Sequence, residues 1–158
     1  MSDQGPQTLD AFTDEIRGRL FRVGEYLWLV LSDGVPVGAI GMSKAGHERK
    51  FAGICFTESV HGTGIPLEAV SMVLEAQYRR NIYLVQINCF ESNKRVIRFF
   101  EKLGAVTIDT VPSENTQNGK MVLWRRMVIT ADDFQSYRGR AVNQVRRDHT
   151  ADIQGVTR

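Results

Sequence analysis

Between Phe51 and Ala105 the sequence changes its apolar period three times, and this alternation constrains the fold more than any other feature. Phe51 to Val60 is an extended run, and His61-Gly62-Thr63-Gly64-Ile65-Pro66 breaks it. Leu67, Val70, Val73, Leu74 and Tyr78 then recur at helical spacing, Tyr83 to Cys89 is extended again, and Lys94 to Leu103 returns to a helical pattern. A helix between two strands carries the chain back to the end at which it started. The strands at Phe51 to Val60 and Tyr83 to Cys89 are therefore expected as parallel neighbours joined by a right-handed crossover. The glycines permit a tight turn, and Pro66 fits the first turn of the following helix. Ser92 or Asn93 caps the second helix, and Gly104 stops it.

The flanks read as simpler elements. Leu9, Phe12, Ile16, Leu20 and Val23 form one face of an opening helix. Tyr26 to Leu31, the turn Ser32-Asp33-Gly34 and Val35 to Met42 make an antiparallel hairpin. Ala105 to Val111 and Met121 to Thr130 are two closing strands around the polar loop Pro112 to Lys120. The expectation is an α+β domain over residues 1–130, with a mixed, mostly antiparallel sheet flanked by helices. Residues 131–158 form a C-terminal helical extension and polar tail. Thr130-Ala131-Asp132-Asp133 starts a helix running to about Arg147, and Phe134, Tyr137, Ala141 and Val145 share a face that docks on the domain or on a protein partner.

Composition narrows the function classes. A chain of 158 residues with 42% apolar residues furnishes one core without disulfides or metal. Twenty Lys and Arg against 18 Asp and Glu give no field of the kind that attracts nucleic acid, and Arg138, Arg140, Arg146 and Arg147 read as a solvated helix face. Cys55 and Cys89, both in apolar stretches, are expected as buried reduced thiols. No basic segment leads into an apolar run at the N-terminus, and no run is long enough to cross a bilayer, so the expected location is cytoplasmic. No Ser-His-Asp grouping, zinc spacing, phosphate loop with lysine or paired metal carboxylates occurs, so nothing in the sequence supports a hydrolase or metalloenzyme reading. Glu48 and Glu58 flank the third strand and His47 precedes it; these are the candidate proton acceptors, with the two glutamates preferred.

The run Asn93-Lys94-Arg95-Val96-Ile97-Arg98-Phe99-Phe100-Glu101-Lys102-Leu103-Gly104-Ala105 resembles the segment of GNAT acyltransferases in which asparagine opens a helix ending in a lysine-leucine-glycine stop. Together with the glycine turn and the element order, the resemblance covers about Tyr26 to Thr130. It implies acetyl-CoA or another acyl-CoA in a splayed gap between the third and fourth strands, and an amine acceptor. Pantetheine contacts fall on Cys55, Phe56 and Thr57, phosphate contacts on His61, Gly62, Thr63, Gly64 and Leu67, and a further cofactor contact on Asn93. Three positions depart from the family. His61 replaces Arg or Gln, Pro66 replaces Gly or Ala, and Phe100 replaces the tyrosine that in many members protonates the departing thiolate. Proline removes one amide donor, and Glu68 adds negative charge where phosphate would lie. Ile97-Arg98-Phe99 and Leu103-Gly104-Ala105 are also similar to small GNAT-like proteins of tailed bacteriophages. That likeness implies a second reading, a non-catalytic assembly protein within a virion.

Overall fold

The computed structural model describes residues 25–114 and 119–138, so the expected helix from Leu9 to Val23 and everything after Arg138, including Val145, lie outside the described residues. Six strands form one sheet: β1 (Tyr26–Ser32), β2 (Val35–Ala45), β3 (Glu48–Phe56), β4 (Leu84–Phe90), β5 (Val106–Glu114) and β6 (Met121–Thr130). Their order is β1-β2-β3-β4-β6-β5. Only β3 and β4 pair in parallel among the described residues, and the helix α1 (Ile65–Tyr78) connects them, as the alternating period requires. Helix α2 (Lys94–Lys102) links β4 to β5, and a helix α3 over residues 131–138 follows β6.

Local chemistry accounts for the corners. Asp33 and Gly34 both take positive φ, 50° and 80°, as a two-residue hairpin turn needs. Asn93 caps α2, its side-chain oxygen accepting from the Val96 amide at 3.2 Å. Gly104 ends that helix at φ 95°. A Cβ there would stand 2.9 Å from the Asp133 carbonyl oxygen, so glycine is required both by conformation and by the close approach of α3. Helix α3 begins on a reciprocal cap: the Asp133 amide donates to Thr130 Oγ1 at 3.1 Å, and Thr130 Oγ1 donates to Asp133 Oδ2 at 2.6 Å.

The core lies between the sheet and the helices. Alternation along β4 turns Val85, Ile87 and Cys89 toward Val70, Val73 and Leu74 of α1 and Ile97 and Phe100 of α2. Phe134 of α3 is fully buried and meets Tyr78 with ring centroids 5.6 Å apart. Tyr137 packs against the same cluster. The Tyr78 hydroxyl donates to the Ile129 carbonyl at 3.0 Å, and burial, then the charge of Asp133, pushes its pKa well above the usual phenol range. The C-terminal helix therefore docks on the domain itself.

One irregularity positions the site. Gly41 faces Gly53 while Met42 faces Phe51, so Ala52 is an extra residue in β3. Such a bulge bends its strand and increases the twist. Pairing with β4 is confined to Arg49 with Val85 and Lys50 with Gln86, and beyond Lys50 the strands part. This corrects two expectations. The third strand spans Glu48–Phe56 rather than Phe51 to Val60, with a 3-10 turn over Glu58–Val60 that buries Val60. Cys55 is exposed rather than buried, because β3 has no strand neighbour on its β4 side at that level, whereas Cys89 is buried and burial raises its thiol pKa.

Candidate active site

The parted strands enclose a cleft of about 420 Å³. One wall is β3 from Phe51 to Phe56, and the other is Ile87, Asn88 and Cys89 of β4. Helix α2 closes it with Asn93, Arg95, Val96, Phe99 and Phe100, and His61 and Pro66 stand at its mouth. The base is aromatic: Phe100 lies 5.3 Å from Phe51 and 5.3 Å, edge-on, from Phe99. Because β3 lacks a partner there, its peptide groups on the β4 side are left for a ligand that extends along the strand. At Gly53 the space that a Cβ would fill is open.

The mouth is rich in uncommitted backbone donors. Helix α1 starts at Gly64 with no side-chain cap. Among the described residues no partner is found for the amides of Gly62, Gly64 and Leu67, while the Ile65 amide donates weakly to Thr63 Oγ1 at 3.3 Å. No atom lies within 4 Å of a Cβ built at Gly62 or Gly64, so a ligand can reach this backbone. Such a helix start attracts anions. Pro66 removes one donor, and the exposed Glu68 carboxylate opposes the field.

At the opposite end, where the strands still pair, two side-chain contacts bridge them on the face away from α1 and α2. Gln86 Nε2 donates to Glu48 Oε2 in a short contact. With the Asn88 amide oriented as its neighbours require, its oxygen accepts from Lys50 Nζ at 3.1 Å and its nitrogen donates to the Ile87 carbonyl at 3.0 Å. Beyond the cleft, Glu91 binds Arg125 (2.8 Å from Nη2 to Oε1) and Lys94, and these hydrogen bonds hold its carboxyl at about 2, far below the usual carboxylate value.

Of the residues singled out from sequence, Cys55, Phe56, His61 and Asn93 line the cleft. Gly62, Thr63, Gly64 and Leu67 form the turn and first helical turn beside it. Thr57 faces β2, its amide donating to the Val37 carbonyl at 2.9 Å. Glu48 stands at the closed end of β3, and Glu58 is exposed on the 3-10 turn beyond its open end, so the two glutamates are not brought together. Sequence reasoning passed over Gln86, Asn88, Phe99 and Arg95. Arg95 had a usable signal, since it lies two residues after the capping Asn93 and so in the first turn at the cleft. Among the described residues no three His, Cys, Asp or Glu side chains are grouped to hold a metal, and no helix is long and apolar enough to cross a membrane.

A family model described as an acetyltransferase (GNAT) domain matches residues 2–106. The chain is a GNAT acetyltransferase-family protein. Solved structures agree on the fold. A probable GNAT-family acetyltransferase from Chromobacterium violaceum superposes with a TM-score of 0.74 at 14% identity, covering 84% of this chain and 73% of that one. A putative acetyltransferase from T. thermophilus gives 0.74 at 18% identity, covering 90% and 78%. The spermidine N-acetyltransferase of Vibrio cholerae, solved with CoA and spermine, gives 0.71 at 14% identity, covering 84% and 81%. No curated protein matches the sequence significantly. Phe100, at the base of the cleft, is 3% exposed and carries no proton to give.

Proposed function

We propose that this protein transfers an acyl group, acetyl in the simplest case, from acyl-CoA to an amine acceptor. The observation that carries the reading is the parting of β3 from β4 at the Ala52 bulge, which leaves an open strand edge leading from a polar apex to an uncapped helix start. The residues fit such a ligand. Cys55 and Phe56 flank a pantetheine arm, Asn93 faces it from α2, and Gly62, Gly64 and Leu67 offer amides to its phosphates. Bound acyl-CoA supplies an activated thioester; the chain supplies position, a proton acceptor and donors for developing charge.

Glu48 is the general base in this reading. It lies at the paired end of β3, one residue before the Arg49–Val85 pair, on the face reached by an acceptor entering opposite α1 and α2, and Gln86 orients its carboxylate. Glu58 sits at the phosphate end and is too far along the chain for that role. Phe100 cannot protonate the departing thiolate, so solvent in the cleft does so.

Calorimetry with acetyl-CoA, followed by assay of CoA thiol release against a panel of amines, tests the proposal. Glu48→Gln should lower kcat by about 10²-fold or more while acetyl-CoA binding persists. Absence of heat from the wild type and also from a Pro66→Gly/Glu68→Gln variant would mark the cleft as vestigial. The assembly reading, with protein partners bound through the C-terminal extension, would then replace this one.

A further inference from the structure

Arg95 stands out among the cations of this chain. Lys94 and Arg125 pair with Glu91, Arg126 with Asp109, and Arg79 and Arg138 with Glu75. Arg95 lines the cleft, is exposed, and makes no hydrogen bond or ion pair with any described residue. Arg98 and Lys102 are also exposed but do not line the cleft. Lys94, which precedes Arg95, is drawn aside to Glu91, so the first turn of α2 offers the cleft one uncommitted full positive charge.

The opposite wall of the mouth lacks such a charge. The segment from the 3-10 turn to the first turn of α1 carries Glu58 and Glu68, both exposed, and only His61 as a basic group, while Pro66 deletes an amide. A dianionic ligand held by that turn alone would meet neutral amide donors and two nearby carboxylates, with no lysine or arginine to offset its charge. The length of β3 indicates which part of the ligand meets Arg95. Five residue steps from Phe51 to Phe56 extend about 17 Å at roughly 3.3 Å each. An extended pantetheine arm laid along that edge, with its thioester at the bulge, brings the pyrophosphate level with His61 and Pro66, which share the cleft mouth with Arg95.

We propose that Arg95 is the principal cation for the pyrophosphate of acyl-CoA, taking from α2 the charge neutralisation that the α1 turn does not provide. Its planar fork donates to two phosphate oxygens at once. The inference rests on the acyl-CoA reading above and adds a division of labour: backbone amides on one side of the mouth, a guanidinium on the other.

The test titrates acetyl-CoA, 3′-dephospho-CoA and acetyl-pantetheine into the wild type, Arg95→Gln and Arg95→Lys. Arg95→Gln should weaken both phosphate-bearing ligands by roughly tenfold or more and leave acetyl-pantetheine unchanged, with Arg95→Lys recovering part of the loss. The wild-type affinity for acetyl-CoA should fall with salt more steeply than that of Arg95→Gln. The unfolding midpoint should not move, because the side chain has no partner among the described residues. Equal acetyl-CoA affinity in wild type and Arg95→Gln overturns the inference alone. So does an equal loss for acetyl-pantetheine, which signals altered cleft shape, or a loss confined to acetyl-CoA, which places the contact on the 3′-phosphate. A wild type that binds none of the three overturns the acyltransferase reading and this inference with it.

Discussion

The two strand-to-helix corners that flank the cleft are built in opposite ways. Between β4 and α2 the capping groups are committed: Asn93 caps the helix, Glu91 binds Lys94 and Arg125, and Arg125 Nη1 also donates to Thr107 Oγ1 at 3.2 Å. Between β3 and α1 there is no side-chain cap, and the Gly62, Gly64 and Leu67 amides have no partner among the described residues. Unsatisfied donors at a helix start are costly only where water or a ligand cannot reach them. Here they face an open mouth. The α2 backbone is fixed by its own caps and ion pairs, while the α1 corner leaves its amides open.

The glycines give the sharpest way to break this comparison. Gly104→Ala forces a side chain into left-handed backbone and against Asp133, and should cost about 3 kcal/mol in denaturant unfolding. Gly64, at φ −72° with open space around it, tolerates a side chain in the fold. Gly64→Val should keep the unfolding midpoint and weaken acetyl-CoA by about tenfold, or about 1.4 kcal/mol, in calorimetry. If Gly64→Val instead unfolded the chain, the α1 corner would be structural after all.

Restoring what the α1 turn lacks should act in the opposite direction. Pro66→Gly with Glu68→Gln adds one donor and removes one repulsion, and should tighten acetyl-CoA by about 1–2 kcal/mol. At the α2 corner, Asn93→Ala should cost about 1 kcal/mol of stability through the lost cap, and some affinity as well, since Asn93 lines the cleft.

The smallest effect is a pH dependence confined to the committed corner. Glu91 titrates near 2 when folded, below its ordinary 4.5, because Arg125 first and Lys94 next bind its charged form. A depressed folded pKa stabilises above the unfolded value, and that contribution is lost as pH falls from about 4.5 toward 2. The stability difference between wild type and Glu91→Gln should therefore be constant from pH 7 to about 5 and shrink below it. A difference that grew on acidification would contradict the pairing.

Much of the architecture was legible because local rules and tertiary structure agree. Asn93 and Gly104 bracket a helix by capping chemistry alone, Asp33-Gly34 specifies a hairpin turn, and Met121–Thr130 is apolar enough to be a strand in any context. The strand-helix-strand alternation between Phe51 and Cys89 implied the parallel pair. The corrections at Cys55 and Val60 share one cause. Periodicity carries no record of where a strand loses its neighbour, so the mostly apolar run from Phe51 to Val60 reads as one buried strand.

The sequence by itself determined the order of the six strands and of the helices between them among the described residues, because caps, turns and periods are set by residues within a few positions of one another. Only the tertiary structure decided where the cleft opens and which charges reach it. The Ala52 bulge exists only relative to β2, Glu48 meets Gln86 across 38 positions, and Glu91 is held by Arg125 of β6. Each depends on a neighbour distant in sequence, and no local rule specifies which neighbour that is.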